Sequence, residues 1–494
     1  MTMTLEQLAH RLGGEVSDSC SVNRVQLDSR LVERGDLFAS VSTNSTDRER
    51  FMVDAKDRGA VAVLTPLGCD RRAVNLPTWS HPEPRRTAGL AAAELLDRPS
   101  DRLSICGVTG TNGKTTTAHL VGHLLEGAGL APAVIGTTGY HLADGFVPAT
   151  HTTPDAPRLN GLLGRHRDAG GQSAVLEVSS HALAQGRTAG VDFDVAVFTN
   201  LSREHLDYHG DMDRYARTKA RLFEQLVPGA TAVVNIDDPA GELMKRVALG
   251  HGARVITFSA RSRADLRADQ LSTDLAGSRF VLEGMGIYAS LRLPLRGRYN
   301  AENALAAAAA ARVLGASPAE ILSGLATAPP APGRLEAVPT GGRGFNLFVD
   351  YAHSPDALER VLGTLREGLA AETTREEVGR LILVFGCGGE RDTGKRPEMG
   401  RVAAELADLA IVTSDNPRSE DPAAILADIV AGMSEPANEH LVEPDRRRAI
   451  TRAVEIAQPG DVVLLAGKGH EATQSIGGQT LEFDDRTVAM EVLG

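Results

Sequence analysis

The sequence predicts an α/β protein built on parallel sheets, arranged as three domains over residues 1–98, 99–331 and 332–494. Three observations carry this reading. Nearly continuous apolar runs alternate with helically spaced segments, as strands covered on both faces require. The Pro-rich stretch "ATAPPAPGR" (326–334) interrupts that rhythm as a hinge, after which it restarts. A length of 494 residues accommodates about three domains of about 150 residues each.

The elements follow in order. Residues 1–98 contain "VNRVQLDSR", "GDLFASV" and the alternating "GAVAVLT", and end in the loop "LPTWSHPEPRR", which gives a small α/β domain. From about 100 to 330 the apolar runs are "LSICGV", "SAVLEVSS", "VAVFTN", "TAVVNID" and "ARVITFS", read together as one parallel sheet. Beyond the hinge, "FNLFVDY", "RLILVFG", "DLAIVTS" and "DVVLLAG" are each followed by a helical stretch, the pattern of a Rossmann-like domain with its own core. Ligands of such sheets gather beyond the carboxyl ends of the strands, so the informative residues should follow these runs.

Composition narrows the function. A net charge of −12 argues against a nucleic-acid partner. No apolar run approaches the ~20 residues that span a bilayer. The start "MTMTLEQLAHRLGG" lacks the basic and apolar regions of a signal peptide. Cys20, Cys69, Cys106 and Cys387 lie far apart with no CxxC pair, which fits a reducing cytoplasm. A cytoplasmic monomer without membrane insertion is expected.

"ICGVTGTNGKTTT" (105–117) nearly matches the phosphate-binding pattern Gly-x-x-x-x-Gly-Lys-Ser/Thr. Gly113-Lys114-Thr115 is present, but Val108 holds the first-glycine position and glycines fall at 107, 110 and 113. The run joins a strand to a helix on which Val121, Leu124, Leu125 and Ala128 share one face. Backbone N–H groups and the helix dipole attract phosphate at such a junction. Lys114 would reach the terminal phosphates and Thr115 would ligate magnesium. The alternative is a Gly-rich turn with an exposed lysine.

Three further residues stand out. Glu177 ends the run "SAVLE", where a carboxylate orients magnesium or caps a helix. In "TNLSREHLDYHG", His205 and His209 lie four apart without an HExxH pattern or a clear third ligand. They are structural histidines, or one of them, His205, serves a magnesium site. In "YARTKARLF", Lys219 falls on an apolar stripe with Tyr215, Leu222 and Phe223. Such a lysine snorkels to solvent, or is buried with a partner, or is a neutral amine able to take up CO2 as a carbamate.

Together "GVTGTNGKTTT", "EVSSHAL", "TNLSREHLDYHG", "YARTKARLF", "GRYNAENALAAAA", "PGRLE" and "DYAHSPDAL" resemble, in order and over essentially the whole chain, the blocks of the Mur ligases. These are ATP-dependent amide-forming enzymes of peptidoglycan precursor synthesis. The resemblance implies a central P-loop ATPase-type domain, with ATP as substrate and Mg²⁺ as cofactor. "LDSR", "SDNPRSED" and "GKGHE" resemble the branch that extends UDP-N-acetylmuramoyl-L-alanyl-D-glutamate, and the "DNPR" form resembles the version selecting meso-diaminopimelate. Its far carboxylate suits the planar fork of Arg418. The alternatives are an L-lysine-adding relative, a folylpolyglutamate synthetase-like enzyme, a P-loop switch, or Arg418 in a mere surface salt bridge. A switch would carry NKxD, and the chain has no Asn-Lys pair.

Carried over by position, the resemblance implies an ATP site of Gly110, Thr111, Asn112, Gly113, Lys114, Thr115 and Thr116 with Asn300, Asn303, Arg334, Asp350 and His353. Thr115, Glu177, His205 and Lys219, the last as a carbamate, would hold magnesium, and Lys114, Lys219, His205 and Glu177 would be catalytic. Leu27, Ser29, Thr152, Thr153, Ser179, Gln185 and Arg187 match positions around the uridine-linked dipeptide. Arg391, Asp415, Asn416, Pro417, Arg418, Gly467 and Glu471 match positions around the amino acid. Thr43 and Arg48 stand where relatives show glycine, and His151 where asparagine is common.

Overall fold

The computed structural model describes residues 2–69, 74–372, 379–433 and 439–494. It has two compact units, Met1–Phe258 with Ala306–Ile321, and Ser259–Leu305 with Leu322–Gly494. Both are α/β. Among the described residues no helix is long and apolar enough to cross a membrane.

Besides the short antiparallel pair Met3–Thr4 with Ser21–Val22, the first unit contains two sheets among the described residues. The smaller orders its strands Glu15–Val16, Thr78–Ser80, Ala62–Thr65, Asp36–Ala39 and Arg24–Gln26, the last four parallel. Its inner strands are buried along their full length, as their apolar sequence requires. The Ala-rich helix Pro84–Leu95 packs over this core and approaches helix Ala156–Asp168 at Gly89. A Cβ there would lie 2.6 Å from that of Ala156, so glycine is what permits the close approach.

In the larger sheet of this unit, parallel strands Pro132–Gly136, Ser173–Glu177, Ser104–Thr109, Phe193–Phe198, Leu226–Asn235 and Arg254–Ser259 lie side by side. Ser104–Thr109, which leads into the Gly-rich loop, therefore sits between the strands ending at Glu177 and Phe198. The parallel reading of 100–330 needs two corrections. Gly139–Leu142 and Gly145–Val147 form an antiparallel hairpin at the sheet edge. In the second unit, Leu266–Asp274, Gly277–Gly284 and Ile287–Leu293 form an antiparallel meander. Both alternate polar with apolar residues and turn at glycine, the pattern of half-exposed strands rather than buried runs.

The second unit's main sheet runs Glu336–Val338, Asn346–Asp350, Val462–Ala466, Leu381–Phe385, Leu409–Val412 and Glu439–Val442, parallel except for the first strand. Helices Pro355–Ala371, Lys395–Leu406 and Pro422–Ala431 cover one face. Arg446–Ile456 and Asp485–Leu493 cover the other. The expected helix directly after Val462–Ala466 is displaced by a hairpin, Thr473–Ile476 with Gln479–Glu482, whose Gly477-Gly478 turn and alternating residues suit antiparallel pairing.

A fully buried ion pair joins the two helices of that second face. Arg446 donates from Nε to Asp485 Oδ1 at 2.8 Å and from Nη2 to Oδ2 at 2.6 Å, and Nη2 also reaches the Ala466 carbonyl at 3.0 Å. Removing one partner strands the other's charge in the core. Asp485→Ala is expected to lower unfolding free energy by about 3–5 kcal/mol, while Arg446→Met with Asp485→Leu recovers most of it. Urea titrations of the three variants check this.

Candidate active site

Each glycine of the loop after Ser104–Thr109 meets a different demand. A Cβ on Gly107 would lie 2.7 Å from the Phe193 ring, and one on Gly110 would collide with Thr199 Oγ1. Gly113, at φ 84°, turns the chain into helix Lys114–Gly127. The spacing 107-110-113 thus serves sheet packing, close approach and helix entry. The next strand's tail braces the loop: Thr111 N–H donates to Asn200 O at 2.8 Å, Asn112 N–H to Asn200 Oδ1 at 2.9 Å, and Thr199 Oγ1 to Asn112 O at 2.6 Å. Lys114 is not a freely exposed lysine. Its ammonium donates to the Gly110 and Thr111 carbonyls at 2.9 and 2.7 Å.

Thr115 and Glu177 come together from elements 62 residues apart. Thr115 Oγ1 donates to Glu177 Oε2 at 2.9 Å, and both side chains are buried. Thr137 donates its N–H to Glu177 Oε1 at 2.9 Å and its hydroxyl to Oε2 at 3.2 Å. Glu177 caps no helix; Ser179 does, accepting Ala182 N–H at 3.2 Å.

His205 and His209 part company. His209 is buried, hydrogen-bonded to Ser180 Oγ at 2.9 Å and stacked on Tyr215. Burial, then the neighbouring His181, push it down to about 4, so it is a neutral structural histidine. His205, in the left-handed conformation at φ 56°, is half-exposed, with its ring 4.8 Å from that of His181. Among the described residues no three His, Cys, Asp or Glu side chains gather as a metal site.

Lys219 neither snorkels nor pairs with an acid. It is 1 % exposed near the end of helix Met212–Ala220. Its Nζ donates to the Gly110 carbonyl at 2.7 Å and lies 4.4 Å from the Tyr215 ring centroid. Among the described residues no carboxylate oxygen comes within 4.0 Å of it. Burial, and secondarily the charge of Lys114, hold the amine well below the ordinary lysine range.

A cleft of about 1260 Å³ lies elsewhere in the same unit. Of the expected dipeptide residues, Leu27, Ser29, Gln185 and Arg187 line it. Thr152, Thr153 and Ser179 are not on its wall. Thr153 is buried, donating to Glu177 O at 2.7 Å and accepting Ser179 N–H at 3.2 Å, so it braces the strand end. Thr152 Oγ1 lies 3.1 Å from Thr137 Oγ1. The wall also holds His151 and side chains that sequence reading missed, among them Arg50, Arg85 and Arg158. Seven arginines against three aspartates leave the lining with four excess positive charges. No motif signals them, because they are scattered between residues 24 and 187. Near Thr43 and Arg48, Asn44 caps helix Ser45–Asp57, which brings Arg50 to the cleft.

In the second unit, Asn303 Nδ2 donates to Asn300 Oδ1 at 3.1 Å, and both are buried in helix Arg298–Val313. Asp350 ends its strand by accepting Leu335 N–H at 2.7 Å and Ala352 N–H at 2.8 Å; burial raises its carboxyl. Arg334 lies over the Tyr351 ring at 4.7 Å, and the His353 carbonyl accepts from Lys395 Nζ at 2.8 Å.

Beyond Leu409–Val412 and Val462–Ala466, the same unit gathers Asp415, Asn416, Arg418, Gly467 and Glu471. Asn416 Nδ2 donates to Glu471 Oε2 at 2.9 Å. A Cβ on Gly467 would lie 2.5 Å from Asp415 Oδ2, so glycine keeps that carboxylate clear. Burial, then Asp415, raise the Glu471 carboxyl. Arg418 Nη1 donates to the Gly389 carbonyl, and among the described residues no carboxylate lies within ion-pair distance of its guanidinium. The surface salt bridge is therefore not what occupies it. Arg391 is exposed near Gly388, which also neighbours Arg418, and the Pro417 carbonyl abuts Gly389.

Residues 108–311 match the Mur ligase middle domain, and residues 333–469 match the domain described as Mur ligase, glutamate ligase domain. The UDP-N-acetylmuramoyl-L-alanyl-D-glutamate--2,6-diaminopimelate ligase of Solibacter usitatus is 43% identical over 478 residues, covering 96% of this chain and 93% of its own. The protein of the same name from Geobacillus thermodenitrificans is 41% identical over 498 residues, covering 99% and 98%. A solved structure of a UDP-N-acetylmuramoyl-L-alanyl-D-glutamate--2,6-diaminopimelate ligase matches with a TM-score of 0.72 at 36% identity, over 100% of this chain and 99% of that one. A folylpolyglutamate synthase from Mycobacterium tuberculosis shares the fold, with a TM-score of 0.64 at 20% identity over 83% of this chain and 95% of that one. Near-complete alignment at this identity, with a P-loop strand and a buried lysine behind it, makes the chain a member of the Mur ligase family of ATP-dependent ligases.

Proposed function

We propose that the chain joins meso-diaminopimelate to the D-glutamate γ-carboxylate of UDP-N-acetylmuramoyl-L-alanyl-D-glutamate, at the expense of ATP, in peptidoglycan precursor synthesis. The observation that carries the choice of amino acid is Arg418, a guanidinium with no carboxylate partner among the described residues, in a loop shared with Asp415 and Asn416. Diaminopimelate is lysine with one more carboxylate, and a planar fork pairs with a carboxylate bidentately. Asp415 and Glu471 supply negative charge for its ammonium groups, and Arg391 a further cation. The arginine-rich cleft, with Leu27, Ser29, Gln185 and Arg187 on its wall, suits the diphosphate of the uridine-linked substrate.

The chemistry takes two steps. A γ-carboxylate oxygen attacks the γ-phosphorus of ATP, forming an acyl phosphate as the bond to ADP breaks. The substrate amine then attacks the acyl carbon, loses a proton, and phosphate leaves from the tetrahedral intermediate. Gly110 to Thr116 cradle the phosphates and Lys114 binds their charge. In the second unit we assign Asn300 and Asn303 to adenine, and Arg334, Asp350 and His353 to the nucleotide as well.

Thr115 and Glu177 offer hard oxygen donors 2.9 Å apart, which fit magnesium. With His205 and the carbamate of Lys219 they would hold it. Magnesium bound there would screen the repulsion between triphosphate and carboxylate. A neutral Lys219 amine can add CO2, forming an N–C bond and releasing one proton. Four free cysteines support action in the cytoplasm, and we take the enzyme to work as a monomer.

Phosphate release from ATP and Mg²⁺ with the uridine-linked dipeptide tests the reading. Release with meso-diaminopimelate should far exceed release with L-lysine or without amine. Arg418→Ala should cut kcat/KM for diaminopimelate on the order of 10²-fold, equivalent to about 2–4 kcal/mol. A preference for lysine would overturn the choice of amino acid.

Lys219→Met should abolish ligation yet stabilise the fold. The unfolded chain binds a proton at Lys219 up to the ordinary 10.5, whereas the folded chain releases it at much lower pH. Between those values wild-type stability therefore rises with pH, and Lys219→Met lacks that component. Urea titrations in CO2-free buffer without magnesium, at several pH values, measure the difference.

A further inference from the structure

The loops carrying Arg391 and Arg418, residues 386–394 and 413–421, are tied by one ion pair. Arg396, buried in the first turn of helix Lys395–Leu406, meets Glu420 with both arms of its fork. Nη1 donates to Oε1 at 2.7 Å and Nη2 to Oε2 at 2.8 Å. Nη1 also reaches Asp428 Oδ2 at 2.9 Å. Glu420 Oε2 in turn accepts the backbone N–H of Glu390 at 3.0 Å, so one carboxylate holds a helix and the opposite loop at once.

The loops also meet through their backbones. Gly389 N–H donates to Asn416 O at 2.9 Å, and the Gly389 carbonyl accepts from Arg418 Nη1. Glu390 and Arg418 have φ of 53° and 57°, a left-handed conformation that L-residues adopt only when their surroundings impose it. The hairpin grips Arg418 from its other side: Arg418 N–H donates to Ser475 O at 2.9 Å, and Gly477 N–H to Arg418 O at 2.6 Å. Two constrained residues thus flank the joint that Glu420 closes, and Ser419 Oγ meets Glu390 Oε1 beside it.

We propose that the Arg396–Glu420 pair is a positioning element for amino-acid recognition, fixing loop 386–394 against loop 413–421 so that the Arg418 guanidinium keeps one place. This rests on the reading of Arg418 as the receptor of a substrate carboxylate. Stability alone is a weak reason for such a pair, because desolvating it offsets much of its attraction. Arg396 Nε also remains without a hydrogen-bond partner, a cost that an apolar core residue would avoid. Asp428 adds a second acid to Arg396, but only Glu420 bridges to the loop that tethers Arg418. The Arg396 bonds, then the Glu390 N–H, pull the Glu420 carboxyl down to about 2, so it stays anionic through any working pH. Amide substitution, not acid, is therefore the way to open the joint.

Glu420→Gln keeps the shape but turns an amide NH2 toward groups that only donate. Its ratio of kcat/KM for meso-diaminopimelate over L-lysine should fall by about tenfold, through KM for diaminopimelate, with KM for ATP and the uridine-linked dipeptide unchanged. Arg396→Lys keeps the charge, loses the fork, and should lower the ratio by about threefold. A purely structural pair would reduce the active fraction and Tm without moving the ratio, so an unchanged ratio in either folded variant overturns the proposal. A wild type that prefers lysine contradicts the choice of amino acid alone, and the shift in ratio is still read. Backbone hydrogen exchange gives a readout independent of activity. Peptides covering 386–394 should exchange faster in Glu420→Gln while those covering 105–117 do not, and unchanged exchange across 386–394 equally overturns it.

Discussion

A lysine amine sealed from water against a carbonyl and a phenol ring is the constraint on which the nucleotide side of this protein depends. Lys219 is held there by the Gly110 carbonyl, which accepts from its Nζ, and by Tyr215, one helical turn earlier, which turns its ring to the same side. Tyr215 is fixed in turn by the hydroxyl of Thr111, 3.2 Å away in the Gly-rich loop. The loop and the helix thus define each other's position. Burial, and then the neighbouring charge of Lys114, hold the amine well below the ordinary lysine range, and Glu204 offsets this only in part. On the proposed function, this amine would add CO2, and the resulting carbamate would supply the anion for magnesium.

The rest of the arrangement follows strand-end logic in both units. Thr109 leads into the loop, Glu177 ends the strand on one side of it, and Thr199 and Asn200 follow the strand on the other. In the second unit Asp350 ends one parallel strand, and Asp415 and Gly467 follow two others. Parallel strands end together, so residues distant in sequence converge without long loops. That convergence matters for a reaction among polyanions, where arginines and lysines must neutralise charge before any attack can occur.

Much of this was legible in the sequence, and the exceptions share causes. The strand, the Gly-rich loop and the helix after it were readable because an apolar run, a Gly-Lys-Thr triplet and helical spacing are all local signals. The stripe through Tyr215 and Lys219 was visible, but not that no carboxylate among the described residues lies within ion-pair distance of the amine, since spacing says nothing about elements packed opposite. The cleft arginines escaped notice because they come from separate helices and loops. Thr153 matches a substrate position by resemblance, yet its hydroxyl is spent on the Glu177 carbonyl and Ser179 N–H. The meander of 266–293 and the hairpin after Val462–Ala466 were missed because half-exposed, Gly-turned strands look like loops beside buried runs. The Arg396–Glu420 pair is beyond sequence reading, as nothing in a separation of 24 residues marks the two as partners.

Proton-decoupled ¹³C NMR of the protein equilibrated with ¹³C-labelled bicarbonate near neutral pH reads directly whether Lys219 takes up CO2. A carbamate resonance is expected in the wild type and absent from Lys219→Met. A wild-type spectrum indistinguishable from that of a folded Lys219→Met protein would contradict it.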